Sequence, residues 1–277
     1  SSSLSSDLPP PQLLAGMDDA VRRICGALRD GERICVWGDY DVDGTTGVAV
    51  LVSFLREIGG EPMFYIPHRI DEGYGMSRQG IESLHSGGIA LIITVDCGIS
   101  NADEVAYARS LGMDVVIVDH HQLPERLPDE AAAIINPQRP DCTFPDKGLC
   151  AAGLAFYLVI GLRANLREAG WFESGVTPDI RRHLDIVALG TIADMVPLRG
   201  TNRVLTRRGL LELGASTRPG IVALREVVGM PAGGVDAGTV AFQLGPRINA
   251  AGRMDTAAKV VEMLTTNSSE TAGEIAR

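Results

Sequence analysis

Apolar residues recur at helical spacing near the start of the chain (Val21, Ile24, Cys25, Leu28), which predicts a first helix over 17–28 that stops at Gly31. The run Ile34-Cys35-Val36-Trp37 follows and predicts a strand over 33–37. The same grammar then repeats. A helix-like segment over 45–58 ends in Gly59-Gly60, and Met63-Phe64-Tyr65-Ile66 reads as a second strand. A polar loop, 68–75, leads to a helix at 77–84 and to an apolar strand at 90–95. Asn101 reads as the N-cap of a helix reaching 111, and another strand occupies 115–118. The segment 130–137 contains Ala-Ile-Ile-Asn and predicts one more strand. Apolar strands that alternate with helices of about ten residues predict a parallel sheet covered on both faces.

The pattern changes after Pro137. Pro140 and Pro145 mark a loop, 150–166 is apolar enough to be a helix buried on most sides, and 170–178 is the expected seam with a mainly helical remainder. Helices are predicted at 183–192, 202–213 and 221–228, and a last one from Ser268. The fold class is therefore α/β: a parallel sheet flanked by helices, followed by a mainly helical subdomain. The expected division is a flexible lead-in at 1–16, an α/β domain at 17–175, a helical part at 176–265 and the start of a connecting helix at 266–277. The missing initiator Met and the absence of a stop signal after the last helix lead us to expect a longer natural protein.

Composition adds bounds. With 277 residues, 45% hydrophobic and 22% charged, the chain can bury a core without staples. No apolar run approaches the roughly 20 residues that span a bilayer, so a cytoplasmic location without membrane partners is expected. Five cysteines, odd in number, lacking CxxC spacing and mostly beside apolar runs, suit reduced buried thiols. A net charge of -10 argues against a nucleic-acid partner as an average. A metal-neutralised acidic cluster would reverse that inference, leaving a basic strip elsewhere free to track phosphates.

Candidate chemistry begins at Gly38-Asp39-Tyr40-Asp41-Val42-Asp43-Gly44. If the backbone stays extended there, Asp39, Asp41 and Asp43 point to one side and crowd at a strand end, where a divalent cation would relieve their repulsion. Taken alone, the stretch is equally an acidic turn. Two further strands end in acid, at Asp96 and at Asp119-His120-His121, and ligands bind at the carboxyl ends of parallel strands. Asp194 is an acid in an otherwise apolar stretch and calls for a partner. Carboxylates with imidazole and no thiolate suit Mn²⁺ or Mg²⁺. Two such ions roughly 3.5–4 Å apart serve phosphoester hydrolysis.

The chain resembles the DHH phosphoesterase family, and within it the single-strand-specific 5′→3′ DNA exonucleases. The resemblance is carried by GDYDVDGTT (38–46), HRIDEGYGMS (68–77), ITVDCGIS (93–100), VDHH (118–121), IINP (134–137), LDIVALGTIADMVPL (184–198) and GPRINAAGRM (245–254). The GYG and GPRINAAGR pieces point to the exonucleases rather than to pyrophosphatases or small-nucleotide phosphodiesterases. The resemblance implies one ion on Asp41 and Asp96 with Asp39 taking part, and a second on Asp43, Asp96, His120 and Asp194, bridged by Asp96. It implies that His121 faces the scissile phosphate while Asp119 orients the imidazoles or sits near the ions. It also implies single-stranded DNA as partner, a role in repair and recombination, and a single-strand-binding protein or recombination helicase as partners of the longer protein. Arg247, Asn249 and Arg253 suit phosphate binding, with neighbouring glycines that let backbone approach a strand. Tyr74 and His68 are candidates to stack a base or touch phosphate. The paired arginines Arg181-Arg182 and Arg207-Arg208 read as solvated helix faces. Such family members carry a further substrate-gripping domain that does not fit after Met254, so weak hydrolysis of low processivity is expected. Two other readings stay open: a family phosphodiesterase on short oligonucleotides or small nucleotides, and a non-catalytic nucleic-acid-binding module.

Overall fold

A computed structural model describes residues 7–277 apart from 69–70, 174, 231–232 and 254–256, and excluding the side chains of 251–253. Five strands, β1 (Ile34–Gly38), β2 (Met63–Tyr65), β3 (Leu91–Val95), β4 (Asp114–Val118) and β5 (Ala133–Ile135), pair in parallel in the order β2-β1-β3-β4-β5. Their side chains alternate between two cores, as a pleat requires. Ile34, Val36, Leu91, Ile93, Val116 and Val118 face one; Cys35, Trp37, Ile92, Val115 and Ile117 face the other. Both faces are thus covered, as the near-continuous apolar runs predict.

The first core is built by α1 (Met17–Asp30), α2 (Val42–Glu57) and α5 (Ala151–Glu168); the second by α3 (Arg78–Ser86) and α4 (Ala102–Ser110). Every residue of α2 from Val42 to Leu55 is buried, because the sheet, α5 and the later helices α6 (Leu184–Ala193) and α10 (Ala257–Thr265) surround it. A short 3₁₀ turn, Ile180–His183, leads into α6. Then come α7 (Gly200–Ala215), α8 (Pro219–Val227), a π-helical turn at Val240–Leu244, α9 (Gly245–Arg253), α10 and α11 (Ser269–Ala276). All five cysteines are free and buried. Among the described residues, no helix is long and apolar enough to cross a membrane.

The structure departs from or adds to the expected elements in three places. The backbone does not stay extended through Asp43: α2 begins at Val42, because the Asp41 carboxylate caps it by accepting from the Gly44 N–H at 3.0 Å. Asn101 stands at the N-cap position of α4, yet its side chain turns away, accepting from Met76 N–H at 3.2 Å and donating to Glu104 at 3.1 Å. The GPRINAAGR stretch forms a helix, and α10 was not anticipated at all.

Candidate metal centre

The strand order reverses between β1 and β3, since β1 is followed by a crossover to one side and β3 lies on the other. A crevice forms at the carboxyl ends of the strands at such a point. Here β1 delivers Asp39, the α2 N-terminus delivers Asp41 and Asp43, β3 delivers Asp96, and β4 delivers Asp119, His120 and His121. Asp194 arrives from the opposite wall, at the C-terminal end of α6. Ligand atoms of Asp39, Asp41 and Asp96 lie within 4.8 Å of one another, as do those of Asp43, His120 and Asp194. Asp96, His120 and His121 form a third such group. The triplet is therefore split by the helix start: Asp39 and Asp41 face Asp96, whereas Asp43 faces His120 and Asp194.

Close packing holds these acids in place. The Asp43 carboxylate accepts from Ala151 N–H at 2.6 Å and Ala152 N–H at 2.8 Å, buried donors of the α5 N-terminus that have no partner within the helix. His120 Nε2 stands 3.1 Å from Asp96 Oδ1 and 3.6 Å from Asp43 Oδ2. Gly44 has no room for a methyl, which would meet Asp39 backbone oxygen at 2.6 Å. Asp96 itself takes φ 64, a left-handed conformation rare for an L-residue with a side chain. Its carbonyl accepts from the Tyr74 hydroxyl at 2.9 Å, which ties the strained peptide to the 71–76 segment.

Burial without compensation raises the acids. It pushes the Asp39 carboxyl up to about 7, with the Asp41 and Asp119 charges adding and the Tyr40 N–H and His121 opposing. Burial also raises Asp194 to about 7, helped by Asp43 and Asp41. Asp96 stands well above the usual carboxylate range, through burial first and then repulsion by Asp43, Asp41, Asp119 and Asp39. Asp39 Oδ1 and Asp194 Oδ2 are buried with no hydrogen-bond partner. Orphaned, mutually repelling oxygens joined by one imidazole are what a pair of hard divalent cations would satisfy, so the residues fit such ions.

Asp119 behaves differently. It is fully buried and accepts from Ile99 N–H at 3.1 Å, His120 N–H at 2.8 Å, His121 N–H at 3.1 Å and His121 Nδ1 at 2.7 Å. Burial pushes its carboxyl up, yet the His121 bond and these amides outweigh it and hold Asp119 below its ordinary value. The same bond raises the His121 imidazole. Asn136, from the IINP stretch, donates to the His121 carbonyl at 2.9 Å and accepts from Gln138 N–H at 2.8 Å. Nothing but its place in the motif flags this buried amide in the sequence.

The remaining candidates lie further out. Tyr74 is half-exposed, but its hydroxyl is engaged by Asp96 and stands 3.3 Å from His121 Nδ1. His68 Nδ1 pairs with Asp71 at 3.0 Å, in a loop gathered around Glu72, which accepts from Tyr65, Ser77 and the His68 N–H. Arg247 and Asn249 ride on α9 outside the three ligand groups, Arg247 lining a small groove with Lys259, Met263 and Ile275. The Arg253 side chain lies outside the described residues. What joins α9 to the centre is Gly245, packed on Ala193 beside Asp194.

Comparison with known proteins supplies relatives. Residues 33–191 match the model of the DHH family, N-terminal domain. The single-stranded-DNA-specific exonuclease RecJ of Escherichia coli is 45% identical over 259 residues, covering 92% of this chain and 45% of that protein. The manganese-bound crystal structure of an exonuclease RecJ superposes with a TM-score of 0.83 at 36% identity, covering 100% of this chain and 66% of that one. RecJ of Thermus thermophilus in complex with Mn²⁺ gives 0.80 at 34% identity, covering 98% of this chain and 37% of that one. The chain thus spans less than half the length of the E. coli relative.

Proposed function

The chain belongs to the DHH family, and from that premise we propose that it is a metal-dependent phosphodiesterase that removes nucleotides from the 5′ end of single-stranded DNA, in the cytoplasm. One observation carries the reading: two ligand groups, Asp39/Asp41/Asp96 and Asp43/His120/Asp194, meet at the switch point of the sheet with the Asp96 carboxylate 3.1 Å from His120. Asp39, Asp41 and Asp96 would hold one divalent ion, and Asp43, Asp96, His120 and Asp194 the other. Mn²⁺ or Mg²⁺ there supplies Lewis acidity toward the phosphoryl oxygens and a nucleophile at neutral pH.

The protein's own groups do the rest. Asp119, held ionised by four donors, fixes the ring of His121 through Nδ1 and leaves Nε2 turned outward as the atom that meets the phosphate. Asn136 holds the His121 backbone in this orientation through its bond to the His121 carbonyl. Tyr74 keeps the Asp96 peptide in its left-handed conformation. Arg247, Asn249 and Arg253 serve the strand from α9, while His68 and Tyr74 border its entry. Residues 17–175 supply most ligands, and 176–265 close the centre with Asp194. In a longer natural protein, a single-strand-binding protein or a recombination helicase would deliver the strand.

This reading, which the similar proteins support, is tested by degradation of 5′-labelled single strands with Mn²⁺ or Mg²⁺, comparing Asp96→Ala. Mononucleotide release that disappears in the variant is expected. Release that survives the substitution sinks the assignment, and products formed only from dinucleotides would replace the substrate.

A further inference from the structure

The loop after Asp194 and the exposed face of α7 place five residues at intervals of four: Met195, Arg199, Arg203, Arg207 and Leu211. All five are exposed, Met195 by 87% and Leu211 by 66%. Met195 also takes φ 59, a second non-glycine residue in the left-handed region beside Asp96. An apolar side chain held out to solvent by a strained backbone, next to a metal ligand, is a costly arrangement that folding alone does not require.

The arginines of this row are the second feature. Some arginines of this chain pair with an acid, Arg22 with Asp19, Arg126 with Asp103, Arg181 with Asp179 and Arg208 with Asp7, and others do not. Among the described residues, Arg199, Arg203 and Arg207 make no ion pair and no side-chain hydrogen bond. Four helical residues rise about 6 Å, so the backbone sets Arg203 and Arg207 on α7, with Arg199 at its N-cap, at an interval close to that of successive phosphates in an extended strand. Planar donors at such spacing suit phosphate oxygens.

The row also starts in the right place. Asn202 donates to the Gly148 carbonyl at 2.6 Å, and three residues later Ala151 donates to Asp43 at 2.6 Å. Three residues span at most about 11 Å, so the first turn of α7 stands beside the metal centre. From there α7 runs back along α6, with Gly209 packed against Ala188, away from the Asp194 end. We propose that Met195 and the Arg199-Arg203-Arg207 row form a track for the sugar-phosphate backbone of the strand beyond the bond being cut, with Met195 as the apolar surface under the first base. This rests on the hydrolase reading above and deepens it, giving a protein of acidic average charge a local cationic path.

The test compares the wild-type chain with Arg203→Ala/Arg207→Ala, Arg203→Lys/Arg207→Lys and Arg22→Ala, on a 5′-labelled strand of about 20 nucleotides and on a trinucleotide, the long strand being sized to outrun the row. For the double alanine variant, KM for the long strand should rise about tenfold with kcat unchanged, and trinucleotide hydrolysis should not change. The slope of log affinity against log salt, read by fluorescence anisotropy in chelator, should fall by about 1.4, or 0.7 for each lost phosphate contact. The lysine pair should recover most of the affinity, and Arg22→Ala should match wild type. An unchanged slope and KM overturn the track, as does equal impairment on both substrates. Loss of binding to a polyglutamate peptide with strand binding intact would overturn it in favour of an acidic protein segment. If the wild-type chain hydrolyses neither strand, the hydrolase reading falls, and the anisotropy comparison decides the track by itself.

Discussion

Asp119 shows how one buried carboxylate can be held below its ordinary value while Asp39, Asp96 and Asp194 nearby are raised. Its two oxygens accept four hydrogen bonds, whereas Asp39 Oδ1 and Asp194 Oδ2 accept none. Asp119→Asn keeps the shape but places a donor or a neutral oxygen against His121 Nδ1, so the ring loses its fixed tautomer. Turnover should fall roughly 10- to 100-fold, the range seen when groups orienting metal-site residues are lost, while Mn²⁺ binding followed by titration calorimetry stays close to wild type. The raised acids have a different signature. Asp39 and Asp194 titrate at about 7 in the folded metal-free chain, against an ordinary 3.8. Between these values the folded chain holds more protons than the unfolded one, so stability is fullest below the ordinary value and is lost as pH rises through about 7. His121, also raised, adds in the same direction as pH climbs. Calorimetry in chelator should therefore give a Tm that falls from pH 5 to pH 8, and saturating Mn²⁺ should abolish the fall by favouring the ionised forms. A Tm that climbs over that window in chelator would contradict this account. The sequence displayed these residues plainly, since Asp, Gly and His at strand ends are visible as letters. It hid what depends on neighbours: the left-handed Asp96, the amide of Asn136 and the bond of the Tyr74 hydroxyl to the Asp96 carbonyl.

Packing between elements sets how far the ligands stand apart. Asp43 on α2, the N-terminus of α5 and Asp194 on α6 converge because the three helices touch through small residues. A methyl on Gly190 would run into Thr46 Oγ1, and would lie 2.8 Å from Ala152 Cβ and 3.4 Å from Asp43 Oδ1. Neither principal neighbour can give way. Thr46 donates to the Val42 carbonyl at 2.6 Å, and a Cβ moves only with its backbone. Gly190→Ala gains about 1 kcal/mol of helix propensity, but overpacking costs about 1–3 kcal/mol. The cost wins when the neighbours are rigid, so Tm should fall by several degrees and the affinity of the Asp43/His120/Asp194 group for Mn²⁺ should fall with it. Thermal unfolding alongside metal titration checks both, and a Tm at or above wild type would show that α6 can shift. Helices and strands up to Ile135 were legible because each apolar run has a length and a stop signal of its own. The start of α2 was not, since Asp-x-Asp-Gly suits a turn and a helix cap equally until Asp43 finds the α5 amides. Nor was α9, whose Gly, Pro and Asn read as loop letters. Its helix is set by the seat of Gly245 on Ala193, a contact made by residues far apart in the chain.

At the scale of the whole molecule, strand order was beyond the sequence, because every strand is apolar enough to be a neighbour of any other. The order β2-β1-β3-β4-β5 decides the chemistry nonetheless: it sets β1 beside β3, and so Asp39 and Asp41 beside Asp96. It also brings six aspartates, Asp39, Asp41, Asp43, Asp96, Asp119 and Asp194, to one edge of a chain whose net charge is already -10. Without metal this edge, as it ionises, would repel a polynucleotide, and the unpaired arginines of the proposed track would act against that repulsion. Two divalent ions bound there would set four positive charges against the five carboxylates that hold them, so the edge would become far less negative where a phosphate would sit. Strand binding should therefore depend on metal even where no bond is cut. With the hydrolytically impaired Asp119→Asn chain, a labelled oligothymidylate should bind at least about tenfold more tightly in Mn²⁺ than in chelator at about 0.05 M salt. The gap should narrow as salt approaches about 0.5 M, since screening shortens the reach of the edge while direct ligation of phosphate persists. Equal affinity with and without metal at low salt would mean that the strand is gripped away from the acidic edge, and that the ions act on the bond without drawing the substrate to it.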